Sequence, residues 1–263
     1  MTLATFRIAP RFLLVLFAFA VLAMPLWGAS RFRLIDERSF GAPPSAIGYA
    51  EYEYAGKIIS VITASPQFFA FKVAYANPPK SVERFHEENP EALLTVNGGY
   101  WDHQYRPTDL CVADGRVIKP VNSMNRHHGL FAVGRDGGVV VRDLKGLPLG
   151  ADEAKSFLHA LKSGPHLVRN GEAVNLKSTS KAARTVIARD SRGNVLFVIN
   201  RAGKMTYAAM ADFLVNTHLD ITEAFNLDGG FSTGFALGRG RGRILKETWV
   251  IADVIQIERK KGR

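Results

Sequence analysis

Three short polar segments combine glycine with side chains that suit carbohydrate and phosphate chemistry. They are Asn97 to Asp102, Ala183 to Ala188 with Arg184, and Asn226 to Ser232. Each follows an apolar run of the strand type, so each is predicted to form part of a site at a strand end. Glycine pairs permit close backbone approach, which lets successive N–H groups converge on an anion or a sugar oxygen. A single pair would predict only a tight turn, but the three segments together predict a binding site.

The order and approximate spacing of these segments resemble the phosphodiester glycosidase family. Family-like motifs occur as Asn-Gly-Gly-aromatic-aromatic-Asp at residues 97–102, Ser-Gly-Pro at 163–165, Arg-Thr at 184–185 and Asn-Leu-Asp-Gly-Gly-x-Ser at 226–232. The resemblance spans residues 55–257 and implies hydrolysis of a sugar-1-phosphodiester at the glycosidic C–O bond. Val186, Ala188 and Phe231 depart from the family pattern, and Phe231 is expected to narrow the pocket.

The residue types fit that reaction. Cleavage develops positive character at the anomeric carbon, which a carboxylate stabilises or attacks, and places negative charge on the departing phosphate. Asp228 is predicted to be this carboxylate, with Asp102 or His103 as an assisting acid, and Arg184 is predicted to bind the phosphate through its planar fork. The other predicted substrate-binding residues are Asn97, Gly98, Gly99, Thr185, Asn226, Gly229, Gly230 and Ser232.

Other hypotheses remain open at this point. Asp228 could satisfy only its own turn, and Arg184 could be an exposed charge at a strand edge. The protein could also be a non-catalytic envelope protein that binds glycans or anionic polymers. A third hypothesis is a metal-assisted phosphodiesterase that uses Asp228, Asp102 and His103 and breaks the P–O bond. No cofactor and no metal site are predicted, because the adjacent His127 and His128 would point to opposite faces of an extended chain.

The elements around these segments predict a single α+β domain with a mixed, largely antiparallel sheet and a few packed helices. Strands are predicted at 58–63, 68–76, 92–96 and 195–199, and hairpins at 110–118 and 130–142. Alternation of large apolar residues in the second strand, such as Phe69, Phe71 and Val73, predicts one buried face. Helices are predicted at 81–88, 152–161 and 206–218.

The N-terminal residues predict export. An apolar run from Phe12 to Trp27 follows Arg7 and Arg11, so residues 1–29 are predicted to be a signal peptide or an N-terminal membrane anchor. Residues 30–54 are predicted to be a linker or lead-in, 55–257 the phosphodiester glycosidase-like domain, and 258–263 a basic tail. The protein is therefore expected in the periplasm, either soluble or tethered to the inner membrane.

Composition limits the partners. The formal net charge is +10, and much of the excess lies near the C-terminus, which favours anionic ligands. The sequence shows no nucleic-acid-binding pattern, so a sugar-phosphate or glycan is the expected partner. The single cysteine, Cys111, excludes an intrachain disulfide.

Overall fold

A computed structural model describes residues 32–42, 45–125, 127–147 and 149–261. The predicted leader, residues 1–29, lies outside the described residues. No helix within the described ranges is long and apolar enough to span a membrane.

Three α-helices occur in these ranges, namely α1 (Val82–Glu88), α2 (Ala151–Ser156) and α3 (Tyr207–Asn216). The strands are β1 (Phe32–Phe40), β2 (Ile47–Tyr54), β3 (Lys57–Ala64), β4 (Phe69–Lys80), β5 (Ala92–Asn97), β6 (Cys111–Ala113), β7 (Arg116–Lys119), β8 (Gly129–Gly134), β9 (Val139–Asp143), β10 (Phe157–Ser163), β11 (His166–Arg169), β12 (Glu172–Ala173), β13 (Ala182–Asp190), β14 (Val195–Met205), β15 (Ile221–Asn226), β16 (Phe235–Leu237), β17 (Ile244–Lys246) and β18 (Ile251–Arg259).

The strands form three sheets. The largest has the order β1-β2-β3-β14-β13-β15-β11-β12, and the two five-stranded sheets have the orders β7-β6-β10-β8-β9 and β17-β16-β5-β18-β4. Every strand pairing between described residues is antiparallel. The single domain and the dominance of antiparallel pairing therefore agree with the prediction. The predicted mixed sheet does not, since no parallel pair occurs among these strands, and helices contribute less than an α+β domain implies.

Both faces of the large sheet are covered. Phe197 and Ile187 on one face pack into a core that also receives Phe71 from β4 and Phe131 from β8. Residues of the opposite face, such as Val198 and Val186, pack into a second core with Met210, Phe213 and Leu214 of α3. Burial on both faces explains why β14 begins with a continuous apolar run. From Phe69 to Val73, β4 alternates between buried and half-buried residues, as the spacing of Phe69, Phe71 and Val73 predicted.

Two of the predicted helices are confirmed together with their starts. Ser81 caps α1 by accepting a hydrogen bond from the Arg84 N–H at 3.2 Å. Thr206 caps α3 in the same way, with the Ala209 N–H at 3.1 Å. A hydroxyl oxygen at this position satisfies one of the N–H groups that the first helical turn leaves unpaired.

The prediction of a helix at 152–161 is wrong for residues 157–161. Helix α2 ends at Ser156, and the chain continues as β10, which pairs with β8 on one side and β6 on the other. Pairing on both sides gives the backbone groups of β10 their hydrogen bonds. The tertiary structure therefore overrides the helical spacing of the apolar residues.

The segment predicted as a linker also belongs to the fold. β1 and β2 form an antiparallel hairpin, and β2 pairs with β3 from Gly48 to Tyr54. At the other end, β18 runs to Arg259, so the first two residues of the predicted basic tail lie in a sheet. Glu258 is buried there and forms an ion pair with Lys72 at 2.7 Å.

Candidate active site

The three glycine-containing segments meet where two sheets come together. Arg184 lies in β13, and Asn226 ends the neighbouring strand β15, whereas Asn97 ends β5 of another sheet. Backbone hydrogen bonds join the segments directly: the Asp228 N–H donates to the Gly98 carbonyl at 2.9 Å. The structure thus places residues more than 80 positions apart in one region.

Asn97 is the residue that ties the segments together. Its Nδ2 donates to the Asp228 carbonyl at 2.9 Å, and its Oδ1 accepts from the Thr185 hydroxyl at 2.7 Å and from the Gly234 N–H at 3.2 Å. Asn97 and Thr185 are both buried. Their side chains therefore position Asp228, while the predicted contact of these residues with substrate stays a prediction.

The amide hydrogens of the first glycine pair are used within the protein. The Gly98 N–H donates to the Asp253 carbonyl at 3.0 Å, and the Gly99 N–H donates to the Asp253 Oδ1 at 2.6 Å. A Cβ atom on Gly98 would lie 1.9 Å from that Oδ1, so only glycine fits here. These N–H groups were predicted to converge on an anion or a sugar oxygen, but here they bind the backbone carbonyl and the side-chain carboxyl group of Asp253 in β18.

Asp253 is a site residue that the sequence reasoning missed. It is fully buried, and burial raises the pKa of its carboxyl group to about 7, with the nearby Asp228 contributing in the same direction. Its Oδ2 has no hydrogen-bond partner among the residues that the structure describes. A lone acid inside the apolar run of β18 was the available signal, because an unpaired buried charge is costly.

Asp228 lies partly exposed at the start of the third segment. Its Oδ1 accepts the Gly229 N–H at 2.7 Å, and the buried Ser232 hydroxyl also hydrogen-bonds to the carboxylate. Burial nevertheless raises the pKa of Asp228 above the usual value for aspartate. The second segment contacts the backbone next to Asp228, since a Cβ atom on Gly229 would lie 2.7 Å from the Ala183 carbonyl oxygen. The carboxylate is thus held in place and is less stabilised as an anion than it would be in water.

Tyr100 extends the polar cluster. Its hydroxyl donates to the Gly164 carbonyl at 2.9 Å and accepts from the Asn226 Nδ2 at 2.8 Å. The hydroxyl of Tyr207, at the start of α3, lies 3.5 Å away. Burial, together with Tyr207 and Asp228, raises the pKa of Tyr100, which keeps it a neutral phenol. Asn226 is buried, so the structure gives it a positioning role, and its predicted contact with sugar hydroxyls stays a prediction.

Arg184 belongs to the same cluster and is not an exposed strand-edge charge. The residue is only 4% exposed, and its guanidinium lies 3.7 Å from the centroid of the Tyr207 ring. Its Nε donates to the Met205 carbonyl and its Nη2 to the Ser180 carbonyl, at 3.1 and 2.7 Å. Two backbone carbonyls therefore already use part of its donor set, and bidentate phosphate binding by Arg184 stays a prediction.

Asp102 lies in a different environment. Its carboxylate pairs with the Arg106 guanidinium at 2.8 and 2.9 Å and accepts the Gln104 N–H at 2.8 Å. These contacts, with those to Arg106 first in importance, lower the pKa of Asp102 to about 2. The neighbouring His103 is exposed. No hydrogen bond between described residues connects Asp102 to Asp228, so its predicted catalytic role gains no support from these contacts.

The third hypothesis required carboxylates and histidine around a metal. Among the described residues, no group of three or more His, Cys, Asp or Glu side chains is placed to hold a metal ion. His127 does contact the cluster, but through its ring, which stacks on Tyr100 with the centroids 4.8 Å apart. Burial lowers the pKa of His127, which favours the neutral imidazole.

Comparison with known proteins agrees with this architecture. The chain is 27% identical over 179 residues to the uncharacterized protein YigE of Escherichia coli (strain K12), an alignment that covers 65% of this chain and 67% of that protein. The fold is similar to the catalytic domain of zebrafish N-acetylglucosamine-1-phosphodiester alpha-N-acetylglucosaminidase, auto-inhibited by its pro-peptide. That match has a TM-score of 0.59 and 16% identity, and it covers 88% of this chain and 85% of the zebrafish chain. A hypothetical protein from Synechocystis matches with a TM-score of 0.60 and 15% identity, over 88% of this chain and 68% of that one.

The family comparison covers all the segments that build the polar cluster. The sequence model of the phosphodiester glycosidase family matches residues 90–258, a range that includes Asn97, Arg184, Asp228 and Asp253. Because this match extends over more than half of the sequence, the chain belongs to the phosphodiester glycosidase family.

Proposed function

We propose that the protein hydrolyses the glycosidic bond of a sugar-1-phosphodiester, with Asp228 as the carboxylate at the anomeric carbon. The observation that carries the proposal is the position of Asp228. Its carboxylate is partly accessible, has a raised pKa, and lies in one polar cluster with Tyr100, Tyr207 and Arg184. Perturbed carboxyl groups in such clusters are frequent at catalytic sites.

The proposed reaction breaks the bond between the anomeric carbon and the phosphate oxygen. Asp228 stabilises or attacks the anomeric carbon as positive charge develops there, and the phosphate monoester leaves with the bonding electron pair. Water then supplies the hydroxyl of the free sugar, and its remaining proton is released or taken up by the phosphate. The phosphate is a good leaving group, so a strong general acid is not essential.

The buried residues around Asp228 act by positioning in this proposal. Asn97 holds the backbone of Asp228, and Asn226 holds the Tyr100 hydroxyl. Arg184 lies across the Tyr207 ring and gives this side of the cluster a positive charge, which suits a phosphate group. Preorganised groups of this kind lower the reorganisation that a transition state requires.

Export is part of the proposal and rests on the sequence of the N-terminal residues. The basic residues Arg7 and Arg11 before the apolar run from Phe12 to Trp27 favour an exported protein, either cleaved or held at the inner membrane. A sugar-phosphate conjugate of the cell envelope or of an exopolysaccharide would then be the substrate. N-terminal sequencing of the protein from the periplasmic and membrane fractions tests export and distinguishes a cleaved leader from a membrane anchor.

Hydrolysis in ¹⁸O-labelled water tests the reaction itself. The substrates are a panel of methyl phosphodiesters of sugars, beginning with N-acetylglucosamine-1-phosphate methyl diester. Label in the released sugar is expected, since the C–O bond is proposed to break. Label in the phosphate would instead support P–O cleavage, and saturable glycan binding without turnover of any diester would support a non-catalytic binding protein.

A further inference from the structure

Two large aromatic side chains project into solvent next to the Asp228 segment. Phe231 is 77% exposed and Trp249 is 68% exposed. Their rings stack on each other, with the centroids 5.2 Å apart and an angle of 22° between the planes. Adjacent exposed aromatic rings are uncommon on a monomer surface without a ligand or partner, so this pair indicates a binding surface.

The backbone holds this aromatic pair in place. The Trp249 N–H donates to the Phe231 carbonyl at 3.2 Å. The chain before Trp249 packs against Gly234, where a Cβ atom would lie 2.2 Å from the Lys246 carbonyl oxygen and 2.7 Å from the Thr248 Cγ2. The backbones of the two residues are therefore fixed beside each other, which reduces the entropy that a ligand must overcome on binding.

A cavity of about 570 Å³ lies beside the two rings. Its lining also includes three cationic residues, Lys181, Arg201 and Lys204, and one carboxylate, Glu247. In the described ranges of the chain, no carboxylate lies within 4.0 Å of these three cationic groups. The cavity is thus positively charged on balance, and its cations are free to bind an anionic ligand.

The cavity adjoins the candidate active site through the backbone. Gly230, two residues after Asp228, forms part of its lining, and so does Ala183, the residue before Arg184. The residue after Phe231, Ser232, is buried, and its side chain hydrogen-bonds to the Asp228 carboxylate. The cavity is thus lined in part by the two segments that carry Asp228 and Arg184.

We infer that this cavity binds an anionic saccharide, the group on the far side of the phosphate in the diester substrate. The inference rests on the proposed function for the link to the phosphate. One face of a sugar ring is apolar and packs on an aromatic side chain, while its hydroxyls bind polar groups such as Glu247 and Thr248. The cationic residues pair with carboxylate or phosphate groups of the saccharide. A concave site of this volume suits such a ligand better than the flat surface of a bilayer.

Calorimetric titration of the full-length protein tests the inference. The probes are hexagalacturonic acid, which is anionic, and maltohexaose, which is neutral. We expect Phe231→Ala and Trp249→Ala each to raise the Kd for hexagalacturonic acid about ten-fold, since each removes one stacking contact. The double variant Lys181→Ala/Lys204→Ala is expected to raise the Kd at least as much and to weaken its dependence on salt.

Matched variants separate this site from general attraction to a basic protein. Lys260→Ala/Lys261→Ala removes the same charge near the C-terminus and is expected to change the Kd less than about two-fold, because these lysines line a different cavity. Phe231→Tyr keeps a ring and is expected to retain binding. Equal Kd values for Phe231→Ala and the unmodified protein, or equal affinity for maltohexaose, would overturn the inference.

A membrane surface is the competing ligand. Co-sedimentation with phosphatidylglycerol vesicles that is lost in Phe231→Ala and Trp249→Ala, without saccharide binding, would also overturn the inference. Turnover of the methyl diester is measured in parallel. Turnover without saccharide binding would support the proposed function and contradict saccharide binding by the cavity. Saccharide binding without turnover would support the binding site and contradict the proposed hydrolysis.

Discussion

Two aspartates that both lie in glycine-containing segments have contrasting environments in this protein. Asp228 is enclosed by segments from two sheets, and burial raises its pKa. Asp102 lies in an exposed turn, where Arg106 and backbone N–H groups lower its pKa to about 2. The residue type is the same, so the difference in pKa comes from desolvation of Asp228 and from charge pairing and hydrogen bonds at Asp102. A reactive carboxylate needs an environment like that of Asp228, because the ion pair with Arg106 already neutralises the charge of Asp102.

The largest difference is expected when each aspartate loses its charge. Asp228→Asn should lower kcat for a sugar-1-phosphodiester about 10³-fold, because the group that stabilises the anomeric carbon is lost. Asp102→Asn should keep kcat within about three-fold, as expected of a surface substitution away from the reacting atoms. Steady-state kinetics on both variants, with melting curves to confirm folding, measure the contrast. A larger loss for Asp102→Asn would reverse the assignment.

The second prediction concerns the buried carboxylate behind Asp228. The folded pKa of Asp253 is about 7, whereas an unfolded aspartate has the model value of 3.8. The folded state therefore binds the proton more tightly, and its stability falls as pH rises from the unfolded pKa through the folded one. Asp253→Asn cannot titrate, so its stability relative to the unmodified protein should rise by roughly 4 kcal/mol between pH 4 and pH 8.

Urea unfolding at several pH values measures this difference in slope. Glu258→Gln is a useful control, because ordinary hydrogen bonds and Lys72 lower the pKa of that carboxyl group despite its burial. Its effect should have the opposite sign: the variant loses stability relative to the unmodified protein as pH rises. Identical pH profiles for Asp253→Asn and the unmodified protein would show that Asp253 does not hold a proton in the folded state.

The third prediction tests the link between the segments. Asn97→Ala should lower the free energy of unfolding by about 3 kcal/mol, because it leaves buried partners on Asp228, Thr185 and Gly234 without hydrogen bonds. It should also lower kcat/KM, since the backbone of Asp228 loses its support. Thr185→Val removes only one of these bonds and should cost about 1 kcal/mol. Equal effects of the two substitutions would contradict the central position of Asn97.

The smallest effect is expected in the exposed turn. Arg106→Ala removes the ion pair and should raise the pKa of Asp102 from about 2 toward the ordinary value for aspartate, without changing kcat/KM. NMR titration of the Asp102 carboxyl carbon measures the first effect, and the kinetic assay measures the second. A parallel shift in the acid limb of the pH–rate profile would connect Asp102 to the reaction after all.

Local structure was predictable where short-range signals decide it. Ser81 and Thr206 mark helix starts that the structure retains, and Asp114-Gly115 marks the turn between β6 and β7. Prediction failed where pairing with distant strands decides the outcome. The apolar residues of β10 have helical spacing, but the strand lies between β6 and β8. The β1–β2 hairpin falls in the segment predicted as a linker or lead-in, because no local motif encodes its place beside β3.

The site shows the same division. The structure joins the segments of Asn97, Arg184 and Asp228 through hydrogen bonds, whereas the contact of Asn97 and Asn226 with substrate stays a prediction, because both side chains are buried. For Tyr207 the sequence predicted only a place in the helix at 206–218, whereas its ring faces Arg184 and its hydroxyl approaches Tyr100. These contacts join three parts of the chain, so no single stretch of sequence could reveal them.

By itself, the sequence determined the family, the helix and hairpin boundaries with strong capping or turn residues, and the identity of the glycine-containing segments. Only the tertiary structure decided which oxygens the glycine N–H groups bind and which aspartate has a raised pKa. The physical reason is that desolvation and hydrogen-bond partners depend on what surrounds a group in space. Asp253 enters the site through a strand that is more than 150 residues away from Gly98 along the chain.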